Sequence, residues 1–105
     1  MSKQININDA ADLFLYYLDN KTKIKIVKYL LSGTKSFDEL VRYTKYVPWS
    51  LWFYLKDLTK KKIITTAIYP AIPVRVEYTL TTFGESFKPV INSIVEWGYS
   101  AKRPK

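Results

Sequence analysis

The hydrophobic and polar positions of this chain follow a helical period over the first sixty residues, a strand-like period over residues 63–80 and a helical period again in the last twenty or so residues. Within residues 9–19 the apolar side chains recur every three or four positions; they are Ala10, Leu13, Phe14, Tyr17 and Leu18. This spacing places them on one face, which predicts an amphipathic helix with Asn8 as its N-cap. A second helix is expected to run from Asn20 or Thr22 to about Leu31.

Two further helices are predicted around a short turn. Ser36 and Glu39 form a capping box, in which a hydroxyl and a glutamate three residues later satisfy free backbone N–H groups, so a third helix is expected to reach about Tyr43. Pro48 suits the first position of a fourth helix, where its missing N–H costs nothing, and this helix is expected to end near Lys61. A short helix, a turn and a longer helix are typical of a helix-turn-helix, whose second helix enters the DNA major groove.

Helical spacing divides the fourth helix into two faces. Its inner stripe is Leu51, Leu55 and Leu58, and Lys56 and Lys60 lie on the opposite side. The same outer side carries three aromatic residues, which we call the aromatic face: Trp49, Trp52 and Phe53. Packing against other parts of the protein or a second protomer, contact with a protein partner and apolar contact with DNA all fit this face. Helical spacing does not choose among them.

Residues 63–69 and 74–80 alternate between apolar and polar positions, which predicts two strands of a β-wing. Pro70 and Pro73 confine the intervening residues to a loop tip, because proline cannot donate to a strand ladder. A last helix follows, with Thr82 and Glu85 as a second possible capping box; its apolar positions are Phe87, Val90, Ile91, Ile94, Val95 and Trp97. Pro89 should kink this helix or mark a late start.

These elements together predict an α+β fold, a winged helix-turn-helix with a two-stranded wing and a C-terminal helix, to which the family resemblance described below assigns dimerisation. The 105 residues suit a single domain, with a core over about residues 9–99 and a basic tail over 100–105. The start of the chain has no apolar segment typical of a signal peptide, and no apolar run is long enough to span a bilayer. A cytoplasmic protein is therefore expected.

Composition narrows the possible chemistry. The chain has no Cys and no His, which excludes disulfides, thiol redox sensing, soft-ligand metal sites and nucleophiles activated by histidine. Its nine carboxylates show no catalytic or metal-loop spacing, so we expect no enzyme activity, no metal and no cofactor. A net charge of +8 favours a polyanionic partner, nucleic acid first and an anionic membrane surface second, although a merely lysine-rich soluble protein has the same charge.

The wing and its exit resemble a known family. Residues 69–80, followed by Gly84, Pro89, Trp97 and Gly98, are similar to the HxlR-type winged helix-turn-helix transcriptional regulators. The resemblance extends upstream through four ordinary winged-helix segments, at residues 30–33, 37–40, 55–58 and 63–64. It covers roughly residues 10–99.

This resemblance implies a homodimeric DNA-binding regulator that binds double-stranded DNA. Its recognition helix, about residues 48–61, would lie in the major groove, and its wing, residues 69–76, would touch the backbone or the minor groove. The residues expected at DNA are Lys45, Trp49, Ser50, Phe53, Lys56, Lys60, Lys62, Tyr69 and Arg75. A surface pair with Glu77 is the alternative for Arg75, and a solvated face is the alternative for the lysines.

The resemblance further implies that the first and last helices build the dimer. A domain of this size can hardly bury both helices completely, which independently favours an interface there. Its expected residues are Leu13, Phe14, Tyr17, Ile91, Ile94, Val95 and Trp97.

The chain departs from the family pattern at informative positions. Thr22 stands where many members have tryptophan, and the absence of cysteine makes a thiol switch unexpected. The aromatic face stands where Arg, Thr and Glu are usual, and it cannot supply the same hydrogen bonds to base edges. A sequence-tolerant nucleic-acid binder and a protein-interaction module using Trp49, Trp52 and Phe53 therefore stay as alternatives; a membrane-surface protein is the least favoured, because no helix joins a lysine face to a large apolar face.

Overall fold

The computed structural model describes residues 5–102, and these residues form six helices and three strands. In chain order the elements are α1 (Ile7–Tyr17), α2 (Lys21–Leu30), β1 (Lys35–Ser36), α3 (Phe37–Thr44), α4 (Pro48–Lys60), β2 (Ile64–Tyr69), β3 (Arg75–Leu80), α5 (Thr82–Glu85) and α6 (Lys88–Lys102). The predicted α+β winged helix-turn-helix is confirmed. Residues 1–4 and the end of the predicted basic tail, 103–105, lie outside the described residues, so those parts of the predicted domain stay predictions.

Side-chain caps fix the starts of the first three helices. Asn20 accepts the backbone N–H of Lys23, and Ser36 and Glu39 make the predicted reciprocal capping box. The predicted N-cap Asn8 was wrong, because Asn6 has the extended backbone of a cap and accepts the N–H of Asp9. Asn8 instead lies in the first turn of α1. The helix therefore begins about two residues earlier than its apolar pattern indicates.

The core holds α4 in place. Leu51, Leu55 and Leu58 are fully buried, as their spacing predicts. They join one apolar cluster with buried residues of α2, α3 and the sheet, among them Ile26, Val27, Leu40, Ile63, Ile64, Tyr78 and Leu80. Burying a leucine side chain contributes about 1.5–3 kcal/mol, so three of them fix which side of α4 faces outward.

The sheet has one more strand than predicted. Its order is β1-β3-β2, and β2 and β3 form the wing hairpin from the Ile64–Leu80 pair to the Tyr69–Arg75 pair. The short strand β1 pairs with Tyr78 and Glu77 of β3, which ties the start of α3 to the wing. At the wing tip the peptide bond before Pro73 is cis.

The C-terminal region contains two helices where one was predicted. Thr81, not Thr82, caps the four-residue helix α5 by accepting the N–H of Gly84, because Thr81 keeps the extended backbone of a cap. Helix α6 begins at Lys88, so Pro89 falls in its first turn and marks the late start that was predicted. The Cα radius of gyration is 15.5 Å, above the roughly 13 Å of a compact domain of 100 residues.

Candidate nucleic-acid interface

The N-terminal half of α4 presents the aromatic face to solvent. Trp49 is 70% exposed, Phe53 57% and Trp52 44%. Phe53 contacts both tryptophans edge-on, with ring centroids 6.4 Å from Trp49 and 5.2 Å from Trp52. The three rings therefore pack on one another while the leucine stripe of the same helix fills the core. Within residues 5–102, packing against the wing or the N-terminal segment does not cover them.

The turn before α4 adds a tyrosine pair that the hydrophobic pattern did not single out. Tyr46 stacks on Tyr54 with centroids 5.5 Å apart, and their hydroxyls lie 3.3 Å from each other. The hydrogen bond between the two hydroxyls raises the pKa of Tyr54 above its ordinary value, because it is lost when the Tyr54 hydroxyl gives up its proton. Lys45, which ends α3 in a left-handed conformation, is exposed beside this pair. The turn thus places a cation at the N-terminal end of the aromatic face.

Lysines lie along the rest of the exposed side of α4. The ammonium group of Lys56 is 4.6 Å from the centroid of the Trp52 ring, a cation–π distance, and Lys60 is exposed one turn further on. Lys62 is exposed in the turn after the helix, where its φ is 66°. Ser50, also predicted to contact DNA, is only partly exposed. The predicted lysines of α4 and its flanking turns, Lys45, Lys56, Lys60 and Lys62, are therefore all exposed to solvent.

An ion-pair network behind α4 was missed by the sequence reasoning. Lys23 is only 5% exposed. Its ammonium group pairs with Asp57 of α4 and, at 2.9 Å, with Asp19. Lys61 also pairs with Asp57, at 3.2 Å, and donates to the carbonyl oxygen of Tyr16 at 2.7 Å. The network joins α4 to α1 and α2, and it neutralises the single carboxylate of α4.

Within the network, the pKa values of Lys23, Asp19 and Asp57 change in the directions that favour their charged forms. Burial lowers the pKa of Lys23, but hydrogen bonds to Asp57 and Asp19 outweigh it, and the net pKa is raised above 10.5. Burial raises the pKa of Asp57, but bonds from Lys23 and Lys61 outweigh it, and the net pKa falls below 3.8. The aspartates therefore stabilise the fold above pH 3.8, and this stabilisation is lost as the pH falls through their lower folded-state values.

Replacing Lys23 by methionine is expected to lower the free energy of unfolding by about 1–2 kcal/mol at pH 7, because Asp57 loses its buried partner but keeps Lys61 and some solvent. The difference from the wild type should shrink below pH 4 as the aspartates take up protons. Urea unfolding at several pH values measures both effects. Lys28→Met, at an exposed lysine of the same helix, is the matched control and should change little. A Lys23→Met difference that stays constant down to pH 2 would contradict the ion-pair explanation.

At the wing, two predicted DNA contacts are brought together. Tyr69 ends β2 and Arg75 begins β3, and the two residues are direct cross-strand partners. The Arg75 guanidinium pairs with Glu77 on the same strand, and this pairing raises the pKa of Arg75. The arginine side chain nevertheless stays largely exposed, and Ile72 at the tip is fully exposed. The wing therefore has an exposed apolar tip, with an exposed arginine at the strand end next to the tip.

The residues predicted for the dimer interface divide into three groups. Leu13 of α1 and Ile94, Val95 and Trp97 of α6 are exposed, Trp97 to 72%. Phe14 and Tyr17 are partly covered by the rings of Phe83 and Phe87, and they line an apolar cleft of about 340 Å³ between α1 and the last two helices. Ile91 is 1% exposed and belongs to the core of its own chain, so the prediction of an interface residue there does not fit its burial.

Neither a cluster of metal ligands nor a membrane-spanning helix is present in the described part of the chain. Residues 5–102 contain no group of three or more Asp, Glu, His or Cys residues arranged to hold a metal ion. None of their helices is both long and apolar enough to cross a membrane.

Comparisons with known proteins agree with this architecture. The HxlR-like helix-turn-helix family profile matches residues 17–105. The HTH-type transcriptional regulator YdeP of Bacillus subtilis strain 168 is 33% identical over 96% of this chain and 86% of its own length. The structure of the redox regulator HypR in its oxidized form has a TM-score of 0.82 and 28% identity, covering 91% of this chain and 99% of HypR. A transcriptional regulator of the MarR family from Porphyromonas gingivalis W83 has a TM-score of 0.82 and 27% identity, over 93% and 97% of the two chains.

The resemblance drawn from the wing residues is thereby confirmed, and so is the expectation that the protein is not an enzyme, since these relatives are transcriptional regulators. This chain belongs to the HxlR-like helix-turn-helix family.

Proposed function

We propose that this protein is a homodimeric, sequence-specific DNA-binding transcriptional regulator. Residues 48–61 are its recognition helix in the major groove, and the wing, residues 69–76, contacts the backbone or the minor groove. Each protomer reads one half of a near-palindromic operator, with the half-sites about one duplex turn, ~34 Å, apart. Occupancy of that operator blocks or assists RNA polymerase.

One observation carries this proposal: the helix at the recognition position is anchored by its leucine stripe and exposes aromatic and lysine side chains on the opposite side. Leu51, Leu55 and Leu58 are buried, whereas Trp49 and Lys56 are exposed. A helix held this way can enter a groove without leaving the core. Its N-terminal residues would then meet base edges, as they do in other helix-turn-helix proteins.

The charge distribution supports a nucleic-acid partner. Lys56 lies over the Trp52 ring, and Lys45, Lys60 and Lys62 are exposed in α4 or its flanking turns, while Asp57 is neutralised by Lys23 and Lys61. Each phosphate that such lysines neutralise adds about 0.9 to the slope of log affinity against log salt. Salt dependence alone does not separate specific from non-specific binding, because both use phosphates.

Homodimerisation supplies the second recognition helix. The exposed apolar side chains of α1 and α6 form the proposed interface: Leu13, Ile94, Val95 and Trp97, with Phe14 and Tyr17 at its edge. The redox role in the name of HypR is not carried over, because this chain contains no cysteine. Any effector of this protein therefore acts by other chemistry.

Selection of random duplex DNA by the purified protein, with a polyanion competitor present, tests the proposal. Sequencing of the bound fraction is expected to give a two-fold symmetric motif whose half-sites are about ten base pairs apart. Binding without enrichment of any motif would favour the sequence-tolerant alternative. A failure to bind duplex at all would favour a protein-interaction module instead.

A further inference from the structure

The exposed side of α4 is divided along its length into an apolar half and a cationic half. At about 100° per residue, Trp49, Phe53, Lys56 and Lys60 fall on one stripe, with Trp52 beside it. The rings occupy the first turns and the ammonium groups the last turns of the same stripe. The sequence of α4 alone determines this arrangement of rings and ammonium groups. Because the leucine stripe is buried, the rings and ammonium groups face solvent.

The major groove has the same two kinds of surface. Thymine places its 5-methyl group on the groove floor, and phosphates line the rim. The first turns of a recognition helix meet the floor, so the aromatic face would meet methyl groups while Lys56 and Lys60 meet phosphates. Among the three side chains of this face, the two indole N–H groups can donate hydrogen bonds and none can accept one from the amino groups of cytosine or adenine. The thymine methyl group is therefore the groove feature that matches the apolar rings and separates A·T from G·C pairs.

Resting on the proposed function, we infer that the aromatic face of α4 reads A·T-rich operator DNA through the 5-methyl groups of thymine. The rings of Trp49 and Phe53 cover methyl groups on the groove floor, and Trp52, held under the Lys56 ammonium, closes the side of the contact. Specificity comes from excluding water from methyl groups, and phosphate contacts by the lysines supply most of the remaining affinity. A neutral or cationic protein surface would not match these lysines, so nucleic acid fits better than a protein partner.

Methyl groups can be removed or added without changing the base pairing, which gives a direct test. The probes are two duplexes of about 30 base pairs, enough for two half-sites one turn apart. One contains only A·T pairs in mixed order and is made with thymine or with uracil; the other contains only G·C pairs and is made with cytosine or 5-methylcytosine. Covering one methyl group is worth roughly fourfold in affinity, and one in each half-site is worth roughly 15-fold.

The wild type is expected to bind the thymine duplex roughly 15-fold more tightly than the uracil duplex, and the 5-methylcytosine duplex more tightly than the cytosine duplex. The double variant Trp49→Ala, Phe53→Ala should bind both members of each pair equally. Lys56→Gln should weaken binding to all four duplexes by a similar factor and keep the ratios. Thermal unfolding shows whether each variant is folded. If the double variant does not fold, the affinity ratios of the wild type and of Lys56→Gln still test the inference.

Three results would overturn the inference in distinguishable ways. Equal wild-type affinities within each pair would remove the methyl readout and leave the proposed DNA-binding function intact. Tighter binding to single-stranded thymine oligonucleotide than to any duplex would replace the readout by stacking on unpaired bases. Absence of binding to every duplex would overturn the proposed function itself and make the aromatic face a protein-docking surface.

Discussion

Replacing Gly84 by alanine is expected to lower the free energy of unfolding by about 3 kcal/mol, near the upper end of what overpacking usually costs. An added Cβ would lie 2.2 Å from the backbone oxygen of Ile63 and 2.9 Å from a methyl carbon of Leu80. The Ile63 oxygen cannot easily move, because it accepts hydrogen bonds from the Thr81 backbone N–H at 3.0 Å and from the Thr81 hydroxyl at 3.1 Å. The clash therefore acts where α5 closes on the base of the wing.

Gly98→Ala is a matched control that is expected to change stability in the opposite direction. It lies inside α6, and an added Cβ there meets nothing within 4 Å. Gly98→Ala is therefore expected to raise the free energy of unfolding by about 0.5–1 kcal/mol, since alanine loses less backbone entropy in a helix. Urea unfolding compares the two variants through their midpoints, at a fixed protein concentration because the proposed dimerisation would contribute to apparent stability. If Gly84→Ala were as stable as the wild type, the close approach of α5 to Ile63 would be wrong.

The sequence predicts most of the elements because their signals are local. The leucine stripe of α4, Pro48 at its start and the capping box of Ser36 and Glu39 each depend on residues within one or two turns. The wing hairpin is equally local, because alternation and two prolines determine both its strands and its tip. A helix-turn-helix followed by a wing can therefore be recognised before any tertiary contact is known.

The wrong predictions arise where two neighbouring residues could both cap a helix, or where a residue's structural partner is distant in sequence. Asn6 and Asn8 can both cap α1, and Thr81 and Thr82 can both cap α5; backbone conformation decides, and spacing does not. Strand β1 has two residues, too few to show a period, and exists only because β3 offers a free edge. The burial of Lys23 depends on Asp57, 34 residues away along the chain.

In the candidate interface, too, local signals predict some features and tertiary packing decides the others. Spacing predicts correctly that the aromatic face lies opposite the leucines, but whether another part of the chain covers it is a tertiary question. The structure leaves Trp49 and Phe53 exposed, so both rings are available to a partner. The burial of Ile91 likewise separates the core residues of α6 from the residues of the proposed interface, a separation that the apolar pattern of the helix could not make.

Replacing Ile94 by lysine is expected to dissociate the proposed homodimer and to weaken operator binding by about a thousandfold. Ile94 is 42% exposed and lies outside the core, so the folded monomer should tolerate the change. In the dimer, two copies of the new charge would be buried in an apolar interface without partners, at a cost of several kcal/mol. A monomer then loses the second half-site, whose effective concentration contributes a factor of about 10²–10⁴ to the affinity.

Sedimentation equilibrium and operator titration check the two halves of this prediction on the same sample. The wild type should have twice the monomer mass of 12.3 kDa, and Ile94→Lys should have the monomer mass with an unchanged circular dichroism spectrum. Asn92→Lys is the matched control, because it adds the same charge to α6 at about 160° around the helix and on a polar position. If Ile94→Lys remained dimeric, the exposed stripe of α6 would not be the interface, and the apolar side chains of α1 would have to bury against a different surface. If it became monomeric and still bound the operator at wild-type affinity, one recognition helix would suffice, and the half-site symmetry proposed for this regulator would be wrong.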